Sequence, residues 1–224
     1  MIEIRGVRFE VKIVHKAIRN LYLRLKDEEI LVTAPFLMPD FEVYRFIERK
    51  RDWICKTYER MKQKQATSRI YDGSDVFYIY DVPYRLVRSV GKSSASIGDH
   101  AVFLSYKDDS EDAIRYLYKK TDRELLAKAA YYLNKHLPFL KDYGYHLTPE
   151  LKCRVMSSKW GVCYTKKNRI TISSYLIHYP LECLEYIIVH EMTHFIVPNH
   201  SKRFYELVAG NMPDYKSAQK ILRE

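Results

Sequence analysis

The stretch His190-Glu191-Met192-Thr193-His194-Phe195-Ile196-Val197-Pro198-Asn199-His200 decides how this 224-residue chain is read. On a helix, residues four apart differ by roughly 40° in azimuth and ~6 Å in rise. His190 and His194 can therefore present both imidazoles to one ion. Glu191, next to the first ligand, reaches a water on that ion without ligating the ion itself, which suits a general base. A hydrolytic metal site takes three protein ligands and keeps a fourth position for water. His200 is the candidate third ligand, because Pro198 and Asn199 can end the helix and swing the chain back under the metal.

The six-residue step from His194 to His200 is the one used in metzincin-type sites, although Val197 stands here where those sites place a glycine. Zinc is the expected ion, and three imidazoles also accept other divalent metals. A purely structural metal site would leave Glu191 without a role. The other histidines, His15, His100, His136, His146 and His178, read as ordinary core or surface residues.

Working outward, Pro180 opens a helix whose Leu181, Leu184, Ile187, Ile188 and Met192 are apolar. Before it, Cys153 to Met156 and Arg169 to Ser173 read as two strands, joined through Ser157 to Cys163 and the Lys166-Lys167-Asn168 turn. A tetrahedral oxyanion needs a second electrophile, for which Tyr205 is the first candidate and Arg154 and Lys159 are others. Trp160 and Cys163 are expected to pack behind the site. Met212 could floor it or simply fill the core.

Period-two alternation in Ile2, Ile4, Val7, Phe9, Val11 and Ile13, and again from Leu21 to Val32, predicts half-buried antiparallel strands. One helix follows over about 40–65. Strands return from Val76 to Ser105, and a long helix runs from Glu111 to about Leu137, where Pro138 stops it. The Lys107-Asp108-Asp109-Ser110 cluster marks the expected boundary between a β-rich N-terminal lobe (1–107) and a catalytic lobe (108–224). No internal repeat is visible. The class is α+β.

The chain carries 38 Lys+Arg against 28 Asp+Glu, so anionic partners such as nucleotides or DNA are favoured over cationic ones. Nine Lys/Arg and three Asp/Glu lie between Arg45 and Arg69, interleaved with Trp53 and Tyr58, a pattern compatible with a nucleic-acid tether or with a solvated helix face. With 47% hydrophobic residues, 7 Gly and 8 Pro, the chain is not collagen-like, low-complexity or disordered. The four cysteines form no CxxC pair, the N-terminus lacks an apolar signal core, and no apolar run is long enough to span a membrane. A cytoplasmic protein is expected.

Arg154, Ser158-Lys159-Trp160-Gly161-Val162-Cys163, Arg169 to Ser173, Pro180, His190 to His194, Asn199-His200-Ser201 and Phe204-Tyr205 follow one another in an order that resembles the YgjP-like metallopeptidase family, which is distantly akin to SprT-like and WLM proteases. The resemblance is strong over about 150–216. Departures are Val162, where a Ser is common, and Ser173-Ser174, where many members have Asn-Trp. The resemblance implies a zincin-like lobe with an antiparallel sheet on the metal helix, Zn2+ on His190, His194 and His200, and hydrolysis of protein or peptide. It also implies that Arg169 to Ser173 could be the edge strand that takes an extended peptide. A phosphohydrolase acting on nucleotides, of the UTP pyrophosphatase kind, and a DNA-associated protease are the alternatives.

Overall fold

A computed structural model describes residues 1–67, 70–108 and 111–223. The chain divides into two compact units, Met1–Ser68 and Arg69–Glu224. The charged cluster at 107–110 therefore falls inside the second unit, because the strands before it pack on the helices after it.

In the first unit, β1 (Ile2–Ile4), β2 (Val7–Lys16), β3 (Tyr22–Lys26) and β4 (Glu29–Pro35) form one sheet in the order β1-β2-β4-β3. The sequence predicts antiparallel strands, yet β2 and β4 run parallel, since β3 lies outermost and a hairpin at Asp27 returns β4 into the centre. Central β4 alternates half-buried and buried side chains, and Ile30, Val32 and Ala34 join Phe9, Val43, Ile47 and Ile54 in a core of their own. The predicted helix over 40–65 is two: α1 (Asp40–Arg49) and α2 (Arg51–Thr67), which meet at Lys50.

In the second unit, β5 (Val76–Ile79), β6 (Val82–Val90), β7 (Ser94–Gly98) and β8 (Ala101–Tyr106) pair in the order β5-β6-β8-β7, with β6 parallel to β8. This repeats the topology of the first sheet. Even the left-handed turn residues correspond: Arg5 and Gly6 match Tyr80 and Asp81, and Asp27 matches His100. The sequence hides the repeat because the two copies share a hydrophobic rhythm rather than side chains.

Helix α3 (Glu111–Asp142) spans 32 residues and runs through Pro138 instead of stopping there. Pro138 removes one helical donor, but burial of Phe139 and Leu140 anchors the last turn. The third sheet contains β9 (Glu150–Arg154), β10 (Gly161–Tyr164) and β11 (Arg169–Ser173) in the order β10-β11-β9, with β11 parallel to β9 and antiparallel to β10. Two expectations change. The sheet is mixed, and Arg169–Ser173 is its central strand rather than an edge. Its run Ile170-Thr171-Ile172-Ser173 is buried throughout, as a strand covered on both faces requires. Gly161–Tyr164, read from sequence as part of a connection, supplies the edge on the α4 side, and Glu150–Arg154 is the other edge.

Against this sheet lies α4 (Leu181–Thr193), buried nearly all round, followed by α5 (Lys202–Asn211) and α6 (Tyr215–Ile221). The molecule is thus a mixed α+β protein. Among the described residues, no helix is long and apolar enough to cross a membrane.

Candidate metal centre

Helix α4 carries His190 and Glu191 on its last turns, and His194 continues the helical conformation as the C-cap, with φ −65° and ψ −18°. The Val197 N–H still reaches the Thr193 carbonyl at 2.9 Å, after which Pro198 stops the helix. No residue from 197 to 201 has positive φ, so the turn to His200 needs no glycine, which accounts for Val197. Ser201 then caps α5 by accepting from the Phe204 N–H, and this fixes His200 against the new helix.

The result is a converging set of three imidazoles. One ligand nitrogen from each of His190, His194 and His200 lies within 4.8 Å of the others. The Nε2 atoms of His190 and His200 are 3.0 Å apart, close to the roughly 3.3 Å between two nitrogens on a tetrahedral zinc with ~2.0–2.1 Å bonds. Burial, reinforced by its histidine neighbours, holds the His190 imidazole down at about 3. Burial also lowers His194. Both rings are consequently neutral at physiological pH, the form that donates a lone pair to a metal. The donor set fits a divalent ion.

Beneath the three rings lies Phe204, fully buried, with its ring centre 4.9, 4.8 and 4.8 Å from those of His190, His194 and His200. Phe204, not Met212, is the floor of the centre; Met212 caps α5 and packs on the core. In the sequence Phe204 stands one turn after the Ser201 cap and belongs to the Phe204-Tyr205 pair of the family-like segments, but neither shows that its ring lies under the histidines.

Further contacts orient two of the histidines. The Tyr186 hydroxyl sits 3.4 Å from His190 Nδ1 and accepts from Gln219 Nε2 at 2.9 Å. His194 Nδ1 lies 3.3 Å from the Val197 carbonyl. If Nε2 is the ligating atom, Nδ1 carries the proton and donates to these oxygens. Tyr186 stands one helical turn before His190, but only the fold brings Gln219 of α6 to it.

Glu191 is 5% exposed, and burial pushes its carboxyl up to about 7, although the Cys163 backbone N–H and Lys159 pull it down. It lies against Gly161 of the edge strand β10. A Cβ built on Gly161 would meet Glu191 Oε1 at 2.5 Å and Cγ at 2.8 Å, so the carboxylate occupies space that any larger residue would take. Cys163 is itself raised to about 12, by burial and by Glu191, and is an inert thiol beside the site.

An open cleft of about 490 Å³ exposes Glu191 and the three histidines between Lys159, Val162, Thr165 and Pro198. Tyr205 packs face-on to His200 at 6.2 Å and lines a neighbouring pocket. Arg154 ends β9, exposed, and is not among the residues lining the cleft; Lys159 is the cation that is. Trp160 donates from Nε1 to the Leu222 carbonyl and packs on Tyr179, but it also lines the neighbouring pocket together with His190 and Glu191, and Cys163 lines the cleft itself, so neither is simply behind the site. His136 and His178 are buried and hydrogen-bonded, His136 to Glu185 and His178 to Tyr118 and Tyr78. In the basic segment, Arg51 pairs with Glu48 and Lys62 with Glu28, while Tyr58 packs on Phe9, so part of its charge is neutralised locally.

Crystal structures of two archaeal metallopeptidase zymogens, abylysin of Pyrococcus abyssi and jannalysin of Methanocaldococcus jannaschii, are similar over 42% of this chain and 87% and 94% of theirs. Their identities are 21% and 20%, each with a TM-score of 0.36. Among curated proteins none matches. A family model described as YgjP-like, metallopeptidase domain, matches residues 19–224, and the chain belongs to that metallopeptidase family.

Proposed function

We propose that the chain is a zinc-dependent peptidase in which His190, His194 and His200 hold the ion and Glu191 is the general base. The observation that carries this reading is the convergence of three imidazoles beside a buried carboxylate raised to about 7. A zinc ion in that set supplies an acidified water and an electrophile for the substrate carbonyl. Glu191 takes a proton at a carboxylate oxygen that faces the cleft and returns it to the departing amine, a relay suited to a carboxyl that titrates near neutrality. Gly161 and the Cys163 N–H hold that carboxylate in one orientation.

The free edge of β10 supports an extended peptide as substrate. Among the described residues β10 pairs only with β11, which leaves its outer backbone groups for strand addition alongside the cleft. Lys159 at the cleft wall is the candidate oxyanion partner together with Tyr205. A nucleotide substrate finds less support, since Lys159 is the one cation among the residues lining the cleft.

Glu191→Gln is expected to retain stoichiometric zinc and to lose peptide hydrolysis by at least 10²-fold. Absence of zinc from purified protein, or unchanged activity in Glu191→Gln, would overturn the reading. Nucleoside triphosphates belong in the same assay, since their hydrolysis in place of peptide would assign the centre to phosphoryl chemistry.

A further inference from the structure

At one end of the sheet in the first unit, β4 runs into a turn of unusual composition. The Met38 N–H donates to the Pro35 carbonyl at 3.0 Å, which closes a four-residue turn with Phe36 and Leu37 at its tip. The tips of such turns are ordinarily Gly, Asn, Asp, Ser or Pro, because those residues suit the backbone. Here Phe36 is 74% exposed and Leu37 91%. The turn is also held in place: Pro35 pairs in register with Lys16 of β2, and His15 Nε2 lies 2.9 Å from the Met38 carbonyl. Two apolar side chains are thus presented to solvent on a fixed support.

Around the tip the charge is of one sign. Strand alternation and register place Val14 and Lys16, Tyr22 and Arg24, and Thr33 and Pro35 on the outer face of the sheet at this end. Lys16 and Arg24 are exposed there, as is Arg19 in the loop from β2 to β3. Among the described residues, no carboxylate lies on this half of the face, in that loop or in the turn. Asp40, the next acidic residue along the chain, begins α1 and faces the His15 ring at 3.6 Å. Tyr22, and Phe41 on the first turn of α1, add exposed rings at the same end.

We propose that this end of the first sheet docks on an anionic lipid surface, with Phe36 and Leu37 entering the boundary of the acyl chains and Lys16, Arg19 and Arg24 meeting the headgroups. Three features select lipid. The apolar residues protrude on a convex tip, which a fluid phase accommodates without a matching groove. The cations flank that tip, at the level where an anionic membrane carries its charge. Leu37, the more exposed of the two, has no ring on which a base could stack, which sets the tip apart from a platform for single-stranded nucleic acid. Two side chains and three cations give a reversible contact, not an anchor. The contact needs no spanning helix and is independent of the metal centre.

The test is co-sedimentation of the full chain with vesicles of phosphatidylcholine alone and of phosphatidylcholine mixed with phosphatidylglycerol. The chain is expected to pellet with the mixed vesicles and to stay in solution with the neutral ones, and added salt should weaken the binding. Phe36→Ser combined with Leu37→Ser should lower the partition coefficient by about tenfold or more, whereas Val90→Ser, at an exposed apolar residue of the second unit, should leave it unchanged. If the double variant fails to fold, Leu37→Trp decides: its emission should shift further to the blue on addition of mixed vesicles than that of the wild type. Wild type left in solution with the mixed vesicles would overturn the proposal and leave the tip to a protein partner. Binding that the double variant retains, or no added blue shift in Leu37→Trp, would overturn it as well. Glu191→Gln should bind vesicles as the wild type does, so the result stands apart from the peptidase reading.

Discussion

At the scale of single residues, the centre depends on a few contacts that admit little change. Gly161 is one, because its missing Cβ is the space that Glu191 fills. Gly161→Ala should displace the carboxylate and lower kcat by about 10²-fold, with zinc content unchanged, as steady-state kinetics and metal analysis would show. Tyr186 is another. Tyr186→Phe removes the oxygen facing His190 Nδ1, so zinc affinity should fall roughly 10- to 100-fold in chelator competition, with little loss of fold. Phe204 combines core and floor, and Phe204→Ala should cost about 3–5 kcal/mol in denaturant unfolding as well as loosening all three ligands.

At the scale of elements, the chemistry lies where three short segments meet: the end of α4, the turn into α5, and the edge strand β10. The hairpin from β10 to β11 turns at Asn168, whose φ of 44° is left-handed. Asn168 also accepts from the Tyr145 hydroxyl and donates to the Thr148 carbonyl, tying the turn to the segment before β9. Asn168→Ala should therefore cost about 2 kcal/mol or more, measured by chemical denaturation, through backbone strain and two lost hydrogen bonds. The helix that carries His190 and Glu191 was legible in sequence because a 3.6-residue period and an i, i+4 histidine pair are local properties. The edge strand was not. Gly161-Val162-Cys163-Tyr164 is half-buried throughout and shows no alternation, and what makes it a strand is its pairing with β11.

At the scale of the whole molecule, the two sheets of like topology show how a single strand order can serve separate cores. In the second unit, His178 links three parts of the chain: its Nδ1 lies 2.8 Å from the Tyr78 carbonyl, and its Nε2 2.7 Å from the Tyr118 hydroxyl. Burial lowers its pKa from 6.5 to about 4, so the folded state binds a proton less readily than the unfolded one. The stabilisation is complete above pH 6.5 and is lost as pH falls toward 4, by about 3 kcal/mol. Denaturation at pH 7.5 and 4.5 should show this loss, and His178→Asn should flatten the difference. The +10 charge, which pointed first to anionic partners, is partly consumed in surface pairs such as Lys62–Glu28 and Arg51–Glu48.

The sequence by itself determined the family, and it marked the three histidines and the neighbouring carboxylate as the candidate site, because their spacing is short-range and chemically restrictive. It also determined an α+β chain with an apolar metal helix. Tertiary structure alone decided the mixed sheets, the central place of Arg169–Ser173, the Phe204 floor and the Gln219–Tyr186 support. Each of these depends on groups distant in sequence being brought within a few ångströms. Hydrophobic periodicity says which face a segment buries and leaves open what it is buried against.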